Sequence, residues 1–410
     1  MREMKDSGIE WIGEIPKDWT VLPIKYVFNI NRGRVISVLH LVDNGKYPVY
    51  SSQTENDGCF GYLNTYDFEG PAITWTTDGA KAGSVFYRDG RYNCTNVCGI
   101  LQLKESYNDV NLYFATYAIA VVAQQNKRYD INGFKIMSNE MARIKFAIPN
   151  IVEQQQIANF LDTKCSEIDA TAEDIQKEIS LLEDYKKSVI TEAVTKGLNP
   201  DAEMKDSKIF YLGQINKTWN LTKVGYCCKK LYRPFEPSDE ALVCSNKGKV
   251  VPRGDTLIGL MSSDDNAMQG ICKGDIAIHG MDTWHGAIAC SDYDGKITRV
   301  VHVCKADGDN RFVVYWLQHL AFVGVYKLIS NGVRGNTSDF RSWDKVADIY
   351  VPNPIKEEQQ QIADFLDSKC SEIDTLIADK KRQLDILADY KKSLIYEYVT
   401  GKKEVPVKDF

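Results

Sequence analysis

Glu153-Gln154-Gln155-Gln156-Ile157-Ala158 recurs as Glu358-Gln359-Gln360-Gln361-Ile362-Ala363, an offset of 205 residues (358 − 153). The match continues without a gap. Lys164-Cys165-Ser166-Glu167-Ile168-Asp169 returns as Lys369-Cys370-Ser371-Glu372-Ile373-Asp374, and Asp184-Tyr185-Lys186-Lys187-Ser188 as Asp389-Tyr390-Lys391-Lys392-Ser393. A shorter repeat opens each half: Met4-Lys5-Asp6-Ser7 returns as Met204-Lys205-Asp206-Ser207, closed by Trp19 and Trp219. A repeat of this period means two copies of one architectural unit.

The repeated segments read as long helices. No Gly or Pro interrupts 153–195. Leu161, Cys165, Ile168, Ala172, Ile175, Ile179, Leu182 and Val189 follow one another in alternating steps of three and four, with a polar slot at Lys186. That is a heptad seam of coiled-coil type. The second copy keeps it through Leu366, Cys370, Ile373, Ile377, Leu384, Leu387 and Leu394, with Lys380 where Ile175 stood. Pro149 and Pro352-Asn353-Pro354 precede the helices, acidic residues load their first turns, and Gly197 and Gly401 mark their ends. At 1.5 Å per residue each copy makes a rod of about 65 Å. Two equivalent helices in one chain can pack on each other about a pseudo-two-fold axis.

Between the helices the chain reads as mixed α/β. Strands are expected at 72–75, 84–87, 276–278 and 299–303, and buried helices at 111–122 and 312–323. The fold class is therefore α/β: two globular domains joined by two long antiparallel coiled-coil helices, pseudo-two-fold symmetric. The first domain is 1–150, opened by segment 4–19, and the first helix is 151–198. The second domain is 199–351, opened by 204–219, the second helix is 352–401, and 402–410 is a tail.

Composition narrows the classes. The chain has 410 residues, 44% hydrophobic and 26% charged, as in a soluble globular protein. No apolar run approaches the roughly 20 residues that span a bilayer. The first residues lack the apolar region of a signal peptide, so a cytoplasmic protein is expected. The eleven cysteines lack zinc-site spacing and read as free, mostly buried thiols. The net charge of −6 is concentrated in the helical segments; the stretches between them are close to neutral.

Enzyme motifs are missing. No Asn-Pro-Pro-Tyr/Phe methyltransferase motif occurs, and Asn353-Pro354-Ile355 reads as a helix breaker. Gly45-Lys46, Gly248-Lys249, Gly295-Lys296 and Gly401-Lys402 are not followed by Ser or Thr, so none closes a phosphate loop. Asp264-Asp265 lacks a spaced Glu-x-Lys partner, and His40, His279, His285, His302 and His319 form no ligand set. No catalytic or metal site is expected.

The layout resembles the specificity (S) subunit of type I restriction-modification systems. Ile148-Pro149 before Glu153-Gln154 and Ile157, and Val351-Pro352 before Glu358-Gln359 and Ile362, resemble that family's entry to its conserved helices. Gly274-Asp275-Ile276, the run from Met281 to Gly286 and Gly332-Val333-Arg334 to Phe340 are similar to one class of target recognition domain. Thr77-Asp78-Gly79-Ala80 with Gly83, then Asn132-Gly133-Phe134-Lys135, are similar to another.

The resemblance implies a non-catalytic reader of double-stranded DNA. Each target recognition domain would read one half of a split, asymmetric site. The helices would set the spacing and dock two modification (methyltransferase) subunits, and restriction (translocase/nuclease) subunits join the same core. S-adenosylmethionine and ATP would be bound by those partners and not by this chain. Half-sites one helical turn apart lie about 34 Å from each other, within reach of such a rod.

Base readout needs polar or cationic side chains entering a groove. Loop placement and local turns favour Arg32, Arg34, Thr76, Lys81, Lys127, Arg128 and Lys135 in the first domain. In the second they favour Arg233, Lys247, Thr283, Trp284, His285, Arg334 and Asn336. Two other readings fit the duplicated helices: a coiled-coil scaffold whose α/β domains bind proteins, and an anti-restriction or orphan regulator derived from such a subunit.

Overall fold

The computed structural model describes residues 2–131, 133–254, 265–330 and 338–406. It divides into two compact units, Met1–Ile175 with Arg382–Phe410, and Gln176–Lys381. Both long helices form as single elements, Ile151–Lys196 and Lys356–Val399, and each contributes one half to each unit.

In the first unit eight strands build two sheets: β1 (Phe28–Arg32), β2 (Tyr47–Tyr50), β3 (Cys59–Leu63), β4 (Phe68–Glu69), β5 (Ala72–Thr76), β6 (Val85–Arg88), β7 (Arg91–Cys94) and β8 (Cys98–Leu103). One sheet has the order β1-β8-β5-β6, all antiparallel; the other has the order β3-β2-β7-β4, with β2 and β7 parallel. Helix α1 (Leu112–Asn126) follows, then the hairpin β9 (Arg128–Asp130) and β10 (Gly133–Lys135), and then α2, the first long helix.

The second unit repeats the plan with β11 (Cys228–Lys230), β12 (Ala241–Ser245), β13 (Lys249–Pro252), β14 (Met268–Ile271), β15 (Ile276–His279), β16 (Ile288–Cys290), β17 (Gly295–Thr298) and β18 (Val301–Ala306). The sheet orders are β11-β18-β15-β16 and β13-β12-β17-β14, again with one parallel pair, β12 with β17. Helix α3 (Asn310–Phe322) takes the place of α1. Where the first unit has a hairpin, the short helix α4 (Val325–Ile329) follows, and α5 is the second long helix. The strand expected at 299–303 begins two residues late, because the Arg299 N–H leaves the ladder for the Ala267 carbonyl.

The opening segments explain the repeated motif. Each is a short hairpin, Met4–Asp6 with Glu14–Pro16 and Met204–Asp206 with Gln214–Asn216. The next strand, Thr20–Pro23 or Asn220–Lys223, pairs with the one entering the long helix, Lys145–Ile148 or Tyr350–Asn353. The indole N–H of Trp19 donates to Glu153 at 3.2 Å, and that of Trp219 to Glu358 at 3.1 Å. The buried Gln154 accepts from the Asn111 N–H and donates to the carbonyls of Asp109 and Pro149. Gln359 accepts from the Asp309 N–H and donates to Pro354. The Glu-Gln motif is thus structural: its amide saturates backbone groups that burial removes from water.

The helix pair is antiparallel within each unit. In the first, Ile157, Ala158, Leu161 and Ile168 from α2 share one core with Leu394, Tyr398 and Val399 from α5, and with Trp19, Phe28, Trp75 and Phe114. In the second, Ile190, Ala193 and Val194 join Ile362, Ala363, Leu366 and Cys370, with Trp219, Phe312 and Trp316. Of the expected seam, Leu161, Cys165, Ile168, Ile175, Ile179, Leu366, Cys370, Ile373, Ile377 and Leu394 are buried; Leu182, Val189, Leu384 and Leu387 are half-buried. The polar interruptions are used. Lys186 bonds Asp374 at 2.6 Å, its repeat mate Lys391 bonds Asp169 at 2.6 Å, and Lys380 reaches Glu178 at 2.5 Å. Gly197 and Gly401 close the helices at positive φ. A Cβ on Gly401 would lie 2.3 Å from Pro16, and one on Gly197 3.2 Å from Trp219, so the left-handed turn and the close approach both call for glycine.

Candidate nucleic-acid interface

In the first unit two sequence-distant segments meet. The Gly79 N–H bonds the Phe134 carbonyl at 3.0 Å, and the Ile136 N–H bonds Thr77. Backbone pairing of Asp78 with Lys135 joins the Thr77–Ala80 turn to the hairpin β9–β10. Lys81 is exposed beside that junction. Lys127 lies over the Phe134 ring at 4.6 Å and donates to Gln124. Arg128 pairs with Glu140 at 2.7 Å and Asp130 at 3.1 Å. Lys135 pairs with Asp130 at 3.2 Å. Asp130 is held below the usual carboxylate range by the Ile131 N–H, then by Lys135 and Arg128. Arg32 and Arg34 belong to a separate group. Arg32 donates to the Asn96 carbonyl, and Arg34 pairs with Asp67 at 2.8 Å.

Thr76 is corrected. It is buried, and its hydroxyl donates to the Lys81 carbonyl at 2.5 Å, so it shapes the turn and presents nothing to a groove. Thr283 is corrected for the same reason, being 1% exposed with its hydroxyl bonded to Ser338 at 2.5 Å. Trp284 packs against the core of the second unit, its buried indole N–H without a partner among the described residues. Arg233 is half-buried and held by Asp275 through two bonds, at 2.5 and 2.8 Å. His285 and Lys247 are exposed, the latter in the turn between β12 and β13. Arg334 and Asn336 lie outside the described residues, as do Asn132 of the first motif and Asp264. The two motif segments of this unit also meet: Ser338 N–H bonds Met281 O and Phe340 N–H bonds Gly280 O, both at 2.9 Å.

The sequence reading missed a basic and aromatic cleft of about 680 Å³ lined by Lys230, Tyr232, Phe235, Gln269 and Arg299. Lys230 lies 5.1 Å from the Tyr232 ring and 5.9 Å from that of Trp343. Arg299 donates to the Met268 carbonyl. Among the described residues, neither Lys230 nor Arg299 is paired with a carboxylate. The interleaved run Lys229-Lys230-Leu231-Tyr232-Arg233 was the available signal. Free cations can neutralise phosphates directly. The charge pairs of the first unit lie at or near the surface, where solvent screens them, so a phosphate can replace their carboxylates at small cost. No group of three or more His, Cys, Asp or Glu side chains among the described residues is placed to hold a metal ion. Among those residues no helix is long and apolar enough to cross a membrane.

Comparison with known proteins agrees with this architecture. Residues 16–181 match the family model for the type I restriction modification DNA specificity domain. A putative type I specificity subunit N-terminus from Mycoplasma pneumoniae is 43% identical over 141 residues, 34% of this chain and 74% of that one. A second putative specificity subunit from the same organism is 34% identical over 199 residues, where this chain spans 51% of the relative's length. The putative MjaX specificity subunit of Methanocaldococcus jannaschii is 24% identical, covering 96% of both chains. A chain from a structural study of complex assembly and conformational transition in the type I R-M system shares the fold, with a TM-score of 0.67 at 12% identity over 95% of this chain and 99% of that one. The chain belongs to the family of type I restriction-modification DNA specificity subunits. None of these relatives supports a protein-binding scaffold.

Proposed function

We propose that this chain is a non-catalytic DNA reader in which each recognition domain binds one half of a split, asymmetric site. The paired long helices set the spacing between the halves and dock two methyltransferase subunits; restriction subunits join the same core in the cytoplasm. S-adenosylmethionine and ATP are bound by those partners. One observation carries this reading. The two units share sheet order, opening hairpin and helix entry, yet differ in the segments that leave the frame: hairpin β9–β10 in one, helix α4 in the other. A duplicated frame with different outgrowths is what two independent readers of unlike half-sites require.

The test is co-expression with a cognate methyltransferase subunit, followed by single-molecule sequencing of host DNA. One split motif with a fixed spacer and a methylated adenine in each half is expected. Exchanging 221–351 for another reader should change one half only; a change in both halves would refute independent reading. Inserting four residues, roughly one turn, into both helices should change the spacer and preserve the halves. An unchanged spacer would end the ruler idea.

A further inference from the structure

The hairpin β2–β3 of the first unit and the hairpin β12–β13 of the second occupy the same place in the same sheet. Their tips differ. Residues 246–248 close the second, whereas residues 51–58, Ser-Ser-Gln-Thr-Glu-Asn-Asp-Gly, lie between the strands of the first. In that longer loop Asn56 and Asp57 stand in succession at φ 50° and 54°, followed by Gly58 at 73°. Two adjacent non-glycine residues in the left-handed region persist only where surrounding structure holds them.

What holds them is Arg88. Its side chain is 2% exposed. The guanidinium lies 3.7 Å from the Tyr50 ring and 4.6 Å from that of Phe86. It donates to Thr74 at 3.2 Å, to the Asp57 carboxylate at 2.5 Å and to the Asp57 carbonyl at 2.6 Å. A buried guanidinium is costly unless its donors are satisfied, and two of these three bonds go to the loop. Register carried through the shared strands puts Ser291 at the position of Arg88 in the second unit. The buried cation and the long loop therefore occur together in one domain and are replaced together in the other.

The loop is furnished to read bases. Glu55 and Asn56 are exposed, and neither side chain is hydrogen-bonded among the described residues. A carboxylate accepts from cytosine N4, and an amide pairs with adenine N6 and N7 in the major groove. At the base of the loop the Thr95 hydroxyl donates to Ser51 and the Thr95 N–H to the Tyr50 carbonyl, while Arg34 pairs with Thr95 along the backbone. Arg34, whose guanidinium is paired with Asp67 at 2.8 Å, thus joins the base of the loop through its backbone. Arg88 also neutralises Asp57, the second carboxylate of the loop, which would otherwise oppose the approach of DNA.

We infer that loop 51–58 is a base-reading element of the first domain and that Arg88 is the positioning residue that holds it in reading geometry. This rests on the bipartite reading proposed above. The test uses the full chain in complex with its methyltransferase subunits and maps methylated sequences for wild type, Glu55→Ala/Asn56→Gly, Arg88→Gln and Arg88→Lys. Glycine at 56 keeps the left-handed backbone, so the surface variant folds. It should lose roughly tenfold or more discrimination at one or two base positions. Those positions should fall in one half-site only, with the other half and the spacer unchanged. Arg88→Gln should relax the same positions, and Arg88→Lys should restore part of the preference. An unaltered half-site in the surface variant would overturn the reading role. If Arg88→Gln lowered methylation of all sequences alike, with a lower melting temperature and no change of motif, the residue would be structural only. A wild-type complex that methylates no split motif would remove the bipartite reading itself, and this inference with it, before any variant is compared.

Discussion

The two domains share a frame and differ in what they place on it. In the first, the candidate cations Arg34, Arg128 and Lys135 are tied to Asp67, Glu140 and Asp130. In the second, Lys230 and Arg299 line an aromatic cleft with no carboxylate partner among the described residues. The shared parts are those that order buried backbone, namely the opening Trp, the Glu-Gln pair and the helix-closing glycines. The divergent parts are loops and strand edges, which can change because little depends on their packing. These three cations of the first domain are held in carboxylate pairs while the two of the second domain's cleft are not, so the two surfaces should differ in how salt affects DNA binding.

The largest test of their independence is Trp75→Ala. Trp75 is fully buried in the core of the first unit, donates to the Ile136 carbonyl and packs so closely on Gly99 that a Cβ there would lie 2.2 Å from its ring. The substitution should cost about 3–5 kcal/mol and remove hydrogen-exchange protection from the first unit. Equal loss in both units would break the comparison.

Acid should act on the other unit. Burial lowers His319 to about 4, and it also lowers His302. The first unit contains only the exposed His40. Because the unfolded chain binds the proton more readily, the contribution of His319 is complete above its unfolded value near 6.5. It falls as pH drops toward 4, by about 3 kcal/mol in all. Urea unfolding followed from pH 7 to 4 should show the second unit weakening first, and His319→Gln should flatten that slope. A first unit that weakens earlier would contradict the assignment.

The helix entries should instead behave alike. Gln154→Ala and Gln359→Ala each orphan a buried N–H and carbonyl groups, at about 1–3 kcal/mol apiece. Midpoints from chemical denaturation that place the two costs far apart would show that the repeat is not energetically equivalent. The smallest effect concerns Lys208, which adopts φ 63° where the first unit has Gly8 at 65°. Lys208→Gly should stabilise the second unit by about 0.5–1 kcal/mol, readable as a small rise in melting temperature.

Much of this was legible in the residues. The duplication, the helix ends, ten buried seam positions and four of the strands, those near 72–75, 84–87, 276–278 and 299–303, follow from local periodicity and turn chemistry. The surroundings of the candidate DNA contacts were less so. Thr76 ends strand β5 beside the Thr77–Ala80 turn and Thr283 opens a short 3-10 turn, yet both are buried with their hydroxyls bonded to Lys81 and Ser338. Arg34 and Lys135 read as free cations, but strand pairing brings Asp67 and Asp130 beside them. Lys186 read only as a polar slot in the seam, and the facing helix supplies Asp374 to it.

The sequence by itself determined that this protein is two copies of one unit with heptad helices, because apolar spacing and chain-breaking residues act over a few positions and are written in order. Only the tertiary structure decided which charges are spent inside the fold and which face outward. That depends on register between strands and helices far apart in the chain, where a carboxylate either arrives within about 3 Å of a cation or does not.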